Sequence, residues 1–263
     1  MEKITSKDNH SIKEYHKLAN SKSYREKTGK FAIESVKLII EAIQSHVTIE
    51  KVFVTQSSYE KNYTILQKFF VNLQTNSYLI TDELEQKLTQ TNNAQGFFAI
   101  CKKLDKHLDI GKIKKDGKYV FLSKLQDTGN VGTIIRTAEA MGLSGVIVSK
   151  DTCDVTSMKV LRASMGSAFR MKIYVSCEEV ADIRQLSDYF SIYAAVLDKG
   201  AVRLTDVVFS PNSIVVIGNE GNGLSQQIID ICSEKITIQM AGNTESLNAG
   251  MAAGILMWEM MKS

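Results

Sequence analysis

A chain of 263 residues, 44% hydrophobic and 23% charged, has the composition of one large globular domain or two modest ones. It contains no run of about 18 apolar residues, so no segment reads as a membrane helix, and the opening stretch 1–17 is too polar for a secretory signal, which makes the cytoplasm the expected compartment. The net charge of +3 is uneven: residues 1–118 carry 20 Lys and Arg against 14 Asp and Glu, and residues 119–263 carry 12 against 15, so the basic first half suits a polyanionic partner.

Residues 1–30 are polar and rich in lysine. The run 31–45 that follows, FAIESVKLIIEAIQS, carries Ile33, Val36, Leu38, Ile39, Ile40 and Ile43 at helical spacing. Strands are expected at 51–55, 77–81 and 96–100, with a helix at 63–73, giving a small α/β domain over 1–101. Residues 102–118 are charged, hold two glycines and read as a linker. From 119 onward short, nearly continuous apolar runs (119–123, 145–149, 172–176, 192–198, 213–218 and 235–239) read as strands buried on both faces. Helical segments fall between them at 130–142, 178–190 and 224–232, and a last helix spans about 246–261. That alternation predicts a mainly parallel α/β sheet over 119–263. Cys101, Cys153, Cys177 and Cys232 are widely spaced, and no histidine pairs with them at ligand spacing, so reduced thiols and no metal are expected.

Ligands of such sheets sit at the carboxyl ends of the strands, and three loops there are rich in small polar residues. After the first strand comes Asp127-Thr128-Gly129-Asn130-Val131-Gly132, followed by Arg136. Val131, Ile134, Ile135, Ala138 and Met141 form a core-facing stripe that leaves Arg136 pointing outward. By spacing alone, Asn130 as a helix N-cap and a solvated Arg136 are the favoured account of this segment. The second loop, Gly218-Asn219-Glu220-Gly221-Asn222-Gly223, has G-x-x-G-x-G spacing, which is neither the dinucleotide fingerprint nor a P-loop, so a dehydrogenase reading fails. Glu220 would repel a phosphate and suits a cationic or hydrogen-bond-donating ligand. The third loop, 238–248, leads into a final helix with two interior glycines, Gly250 and Gly254. Each glycine costs about 1 kcal/mol relative to alanine in a helix interior, so close backbone packing is expected there. Ser246 or Asn248 could equally be a simple N-cap of that helix.

In this order and spacing, DTGNVGTIIRTAEAMG, VVIGNEGNGLS and ITIQMAGNTESLNAGMAAGILMWE resemble the three motifs of the SpoU, or TrmH-like, branch of the SPOUT methyltransferases. VLRASMGSAFRMKI (160–173) resembles the stretch between the first two motifs. Residues 1–100, through NHSIKEYHKLANSKSYREKTGKFAIES, resemble the ribosomal-protein-like substrate-binding domain of members that act on rRNA. The resemblance implies a deep C-terminal trefoil knot, which general topology rules would not have suggested. It also implies a homodimer and S-adenosylmethionine as cofactor.

By position, Gly218, Ile238 and Leu247 match cofactor-binding residues, and Leu197, Gly221 and Met240 are further lining. Arg136 matches the family's catalytic arginine, Asn130 the asparagine beside it, Glu220 the acid of the second motif, and Ser246 and Asn248 the polar pair of the third. Thr128 and Gln239 stand where proline is usual, and Ala249-Gly250 where bulkier or hydroxylic residues are usual; these are turn and packing positions rather than reacting groups. RNA phosphates would be gripped by Lys22, Arg25 and Lys27, and by Arg162 and Arg170, with Ser164 near the target nucleotide. The reaction implied is methylation of a ribose 2'-OH, with 23S-type rRNA favoured over tRNA because a whole domain precedes the motifs. A non-catalytic rRNA-binding relative is the competing class, and the intact Asn130, Arg136, Glu220, Ser246 and Asn248 set argues against it. An arginine is a poor general base, because its pKa exceeds about 12. Either an RNA phosphate orients Arg136 while proton loss occurs late, or the sulfonium and a dry site lower its pKa.

Overall fold

The computed structural model describes residues 1–63, 76–90, 94–102, 104, 109 and 111–262. It divides into two units, Met1–Leu104 with Thr156–Arg162, and Asp105–Val155 with Ala163–Ser263.

The first unit carries a mixed sheet of β1 (Glu2–Ile4), β2 (Lys30–Glu34), β3 (Ile49–Thr55), β4 (Asn76–Ile80) and β5 (Phe97–Lys102), in the order β1-β4-β3-β5-β2. β1, β4 and β3 run parallel, and β5 runs antiparallel to both β3 and β2. The polar opening segment forms two helices, His10–Asn20 and Lys22–Thr28. Asn9 caps the first by accepting from Ser11 N at 2.8 Å. Ser21 ends it and caps the second, accepting from Tyr24 N at 3.2 Å, and Gly29 closes the second at φ +63°.

The helical stripe expected over 31–45 is corrected by the structure. Phe31–Glu34 pair with β5 as β2, and the helix begins only at Val36, where Ser35 accepts from Leu38 N at 3.3 Å. A capping hydroxyl and a strand partner outweigh the local periodicity, which survives only in buried Leu38, Ile39 and Ala42. The helix expected over 63–73 falls outside the described residues, apart from Tyr63.

Tyr15 lies at the centre of this unit's core, edge-on to Phe53 and Phe98, with its hydroxyl donating to Ile33 O at 3.3 Å. Met158 joins the same core, so a short segment from far along the sequence packs with this unit.

The second unit is a seven-stranded, wholly parallel sheet: β6 (Lys118–Leu122), β7 (Gly145–Ser149), β8 (Ile173–Ser176), β9 (Ser191–Ala195), β10 (Val202–Arg203), β11 (Ser213–Ile217) and β12 (Glu234–Thr237). Its order is β10-β12-β9-β11-β6-β7-β8. Every residue of β7 and β11 is buried, as their unbroken apolar runs require. The stretch expected as a linker is part of this unit's packing by Ile113, which is buried in the core, and the Tyr119 hydroxyl donates to Lys114 O at 2.9 Å. The chain steps from β6 through β7 to β8 on one side, crosses to β9, and then inserts β11 between β9 and β6. The loops after β6 and β11 thus flank the point where strand order reverses, which is where parallel sheets bind ligands.

Glu14 is a buried carboxylate in the first unit, bonded to Lys30 at 3.0 Å and Lys51 at 2.8 Å. Burial pushes its pKa up, but the bonds to the two lysines outweigh burial and hold it below the ordinary 4.5. Its stabilisation is therefore present above pH 4.5 and is lost as pH falls through the lowered value. Glu14→Ala should cost roughly 2 kcal/mol, less than a fully buried pair because both lysines are partly exposed. Thermal unfolding against pH should show wild type losing its advantage over this variant as the solution is acidified.

Candidate active site

The site is built from the carboxylate of Glu220, in the loop after β11. Gln126 N donates to it at 3.0 Å, Asp127 N at 3.0 Å and Asn130 Nδ2 at 3.2 Å. Partial burial works against the charge, but these donors and Glu220's own backbone N–H hold the carboxyl below the ordinary range. Asn130 is buried on the first turn of the helix Thr128–Met141. Its Oδ1 accepts from Asn248 Nδ2 at 2.8 Å, and Asn248 Oδ1 accepts from Gly250 N at 2.9 Å and Met251 N at 3.2 Å. Each amide is oriented by the next partner, so Glu220, Asn130 and Asn248 form one directional chain joining all three motif loops.

Asn130 is not the N-cap. Asp127 fills that role, its Oδ1 accepting from Asn130 N at 2.7 Å, and an acid three residues before the asparagine was the sequence signal for it. At the final helix, Ala249–Lys262, Asn248 is the cap, so Ser246 and Leu247 remain in the loop. Gly250 explains itself locally: a Cβ there would lie 3.1 Å from Asn248 Oδ1 and 3.4 Å from Asn130 Oδ1. The final helix packs along Thr128–Met141.

Beside this chain opens a cavity of about 710 Å³ at the ends of β9, β11 and β12. Leu197, Gly218, Gly221, Ile238, Met240 and Leu247 all line it, as do Asn130, Glu220, Ser246 and Asn248. Gly218 is required by close approach, since a Cβ there would fall 2.4 Å from Gly223 C and 2.6 Å from Leu224 N. Among the described residues, the one lysine lining the cavity, Lys235, is bonded to Asp198 at 2.6 Å. Apolar walls and the Glu220 carboxylate, with the Asp198 charge offset by Lys235, suit a ligand with an apolar ring and positive charge better than a phosphate. S-adenosylmethionine has that chemistry.

The remaining sequence-derived residues stand apart from the cavity. Arg136 is exposed on the helix that carries Asn130 and does not line the cavity. Lys22 and Lys27 are exposed. The expectation for Arg25 is corrected: it is buried, with Nη1 donating to Leu18 O at 2.7 Å, so it holds two helices together and is closed to a phosphate. Ser164 is likewise corrected, because it is fully buried and cannot reach a nucleotide. Arg162 is half-buried and faces Glu34 at 3.9 Å. Arg170 forks onto Glu139 through Nε at 2.5 Å and Nη2 at 3.0 Å, and this bond leads the groups that lower the Glu139 pKa. Sequence reasoning missed Gln126, Asp127 and Asn219, whose bonds are formed mainly with backbone groups.

Comparison with known proteins agrees with this geometry. Residues 117–258 match the SpoU rRNA Methylase family, and residues 9–99 match the MRM3-like substrate binding domain. The 23S rRNA (guanosine(2553)-2'-O)-methyltransferase RlmP of Bacillus subtilis is 28% identical over 261 residues, covering 99% of each chain. The 23S rRNA (uridine(2479)-2'-O)-methyltransferase of Streptomyces viridochromogenes is 26% identical, covering 99% of this chain and 92% of its own. Among solved structures, an AdoMet-bound rRNA methyltransferase from Sinorhizobium meliloti superposes with a TM-score of 0.87 at 27% identity, covering 99% of this chain and 97% of that one. Motif loops joined by one hydrogen-bonded chain, a cavity for a cationic ligand and a family match over more than half of the sequence lead to one assignment: the chain belongs to the SpoU rRNA methylase family.

Proposed function

We propose that the protein transfers a methyl group from S-adenosylmethionine to a ribose 2'-OH of 23S-type ribosomal RNA. The observation that carries this reading is the Glu220–Asn130–Asn248 chain beside a cavity whose charge suits a sulfonium. The whole-length relatives named for 23S rRNA 2'-O-methylation support the substrate, as does the match of residues 9–99 to a substrate-binding domain. A ribosomal RNA substrate supports the reading of a cytoplasmic enzyme.

S-adenosylmethionine, when bound, supplies a methyl already activated on a sulfonium. Gly218, Gly221, Ile238 and Leu247 would hold it through backbone groups and apolar contact, with Leu197 and Met240 closing the pocket. The protein's remaining task is positioning, which can supply roughly 7–11 kcal/mol of the barrier. Glu220 fixes Asn130 and the start of its helix, and Asn130 and Ser246 present polar groups at the cavity. Arg136, exposed one to two turns along the same helix, grips an RNA phosphate with its planar fork and holds the ribose, and the 2'-OH proton passes to water late, once its oxygen has become positive. Lys22 and Lys27 add phosphate contacts from the N-terminal unit.

The final helix leaves Met251, Ile255 and Trp258 exposed by 61, 37 and 56% at i, i+4, i+7 spacing. Such an apolar stripe supports a homodimer built on this helix, and we infer the trefoil knot of the family in the segment around the cofactor.

Labelled methyl should pass from S-adenosylmethionine to one large rRNA species when total RNA from a strain lacking the gene is the acceptor. Label confined to tRNA would overturn the substrate, and no label in any RNA would overturn the activity. Arg136→Lys should bind the cofactor normally yet lose roughly 100-fold or more in turnover, because lysine lacks the planar fork; comparable turnover would remove Arg136 from the reaction. Gly218→Ala should weaken cofactor binding at least about tenfold, by displacing the loop its Cβ would strike, as read by calorimetry.

A further inference from the structure

Lys124, two residues after β6, has φ +57°, a conformation that side-chain-bearing residues rarely adopt. Its surroundings hold it there. Lys124 N donates to Ser149 Oγ at 2.9 Å, Ser149 Oγ and Thr152 Oγ1 lie 3.1 Å apart, and Thr152 Oγ1 donates to Leu122 O at 3.0 Å. Because the Thr152 proton goes to Leu122, Ser149 donates to Thr152 and has a lone pair for the Lys124 N–H. Ser149 and Thr152 are both buried. The Lys124 carbonyl is thereby turned to accept two side-chain amides, Gln126 Nε2 at 3.0 Å and Asn219 Nδ2 at 2.9 Å.

Asn219 precedes Glu220 and uses its whole side chain. While Nδ2 reaches Lys124 O, Oδ1 accepts from Gly221 N at 3.0 Å and Asn222 N at 3.1 Å. The neighbouring Glu220 takes Gln126 N and Asp127 N. Two consecutive side chains from one loop therefore grip residues 124–127 of the other at separate points. At the base of the loops Ser123 N donates to Ile217 O at 2.8 Å, and Asn219 adds a tie between that base and the Glu220 carboxylate. A strained residue retained by surrounding bonds is what a positioning element looks like.

We propose that Asn219 is a positioning residue for methyl transfer: its amide fastens the Glu220 loop to the left-handed Lys124 carbonyl and so sets where Glu220, and through it Asn130, stand. The proposal rests on the methyl-transfer reading above. Asn219→Asp removes the grip, since an aspartate keeps the acceptor for Gly221 and Asn222 but sets a carboxylate where the donor to Lys124 was; because Asn219 also lines the cavity, Asn219→Ser, which adds no charge there, is compared beside it. Wild type and variants would be compared for cofactor affinity by calorimetry, for melting temperature, and for kcat with RNA from the gene-deletion strain.

The expected result is near wild-type cofactor affinity and melting temperature with kcat lower by roughly 10- to 100-fold, the scale of a small misplacement at the reacting centre. If the aspartate variant does not fold, Asn219→Ser, with a shorter donor and acceptor, should show the same split between binding and turnover. Wild-type kcat in the variant overturns the positioning role while leaving the activity standing. So does a loss of cofactor affinity and stability in proportion to kcat, which would mark the residue as merely structural. Failure of the wild type itself to methylate any RNA overturns the methyl-transfer reading and this proposal with it.

Discussion

The carboxylate of Glu220 is the fixed point on which the catalytic half depends. It stands in a loop that could take many shapes, yet it accepts two backbone N–H groups and one side-chain amide from the segment after β6. A carboxylate with that many donors stays ionised, so the link does not loosen at neutral pH. The parallel sheet makes the link possible: β6 and β11 are neighbours, so their outgoing loops leave the sheet side by side. Asn130 then carries the constraint onward to Asn248 and the start of the final helix.

The small residues of the site follow from this arrangement. Gly218 has no room for a Cβ because the chain doubles back against it, and Gly250 has little because Asn130 and Asn248 sit over it. Gly218 follows a strand and Gly250 sits in the first turn of the final helix, and both would read as weak points by propensity alone. Their value lies in allowing three loops to share one small volume while the cavity beside them remains open.

Much of this was legible in the sequence, and particular residues show why. The strands of the second unit announced themselves because a chain buried on both faces needs continuous β-branched and apolar residues, as in Ser213–Ile217. The motif resemblance picked out six positions as cofactor-binding, and all six line one cavity. What could not be read were the fates of polar side chains. Arg25 and Lys27 look alike in sequence, but one is buried against Leu18 O and the other is exposed. Ser164 sits in a polar-looking stretch and is fully buried. Phe31–Glu34 follow a helical period and form a strand, because the pairing partner β5 lies more than 60 residues away and leaves no local trace. The packing of Met158 with the first unit is hidden for the same reason.

A division of labour follows from where the charges ended up. The carboxylates cluster at the cavity, where Asp198 also takes up Lys235, and Arg136 stands outside it on an exposed face. A cofactor bearing a sulfonium would be repelled by a free arginine at its own site, and an RNA backbone would be repelled by Glu220. Opposite ligands therefore call for opposite faces of one short helix, with Asn130 turned inward and Arg136 turned outward. Six residues separate the two, so their side chains project about 120° apart around the helix. On the proposed reading the helix Thr128–Met141, held at its first turn by Glu220 and along its length by the final helix, would serve as a partition. A ribose brought to its edge by phosphate contacts on the outer face would meet the methyl donor on the inner one.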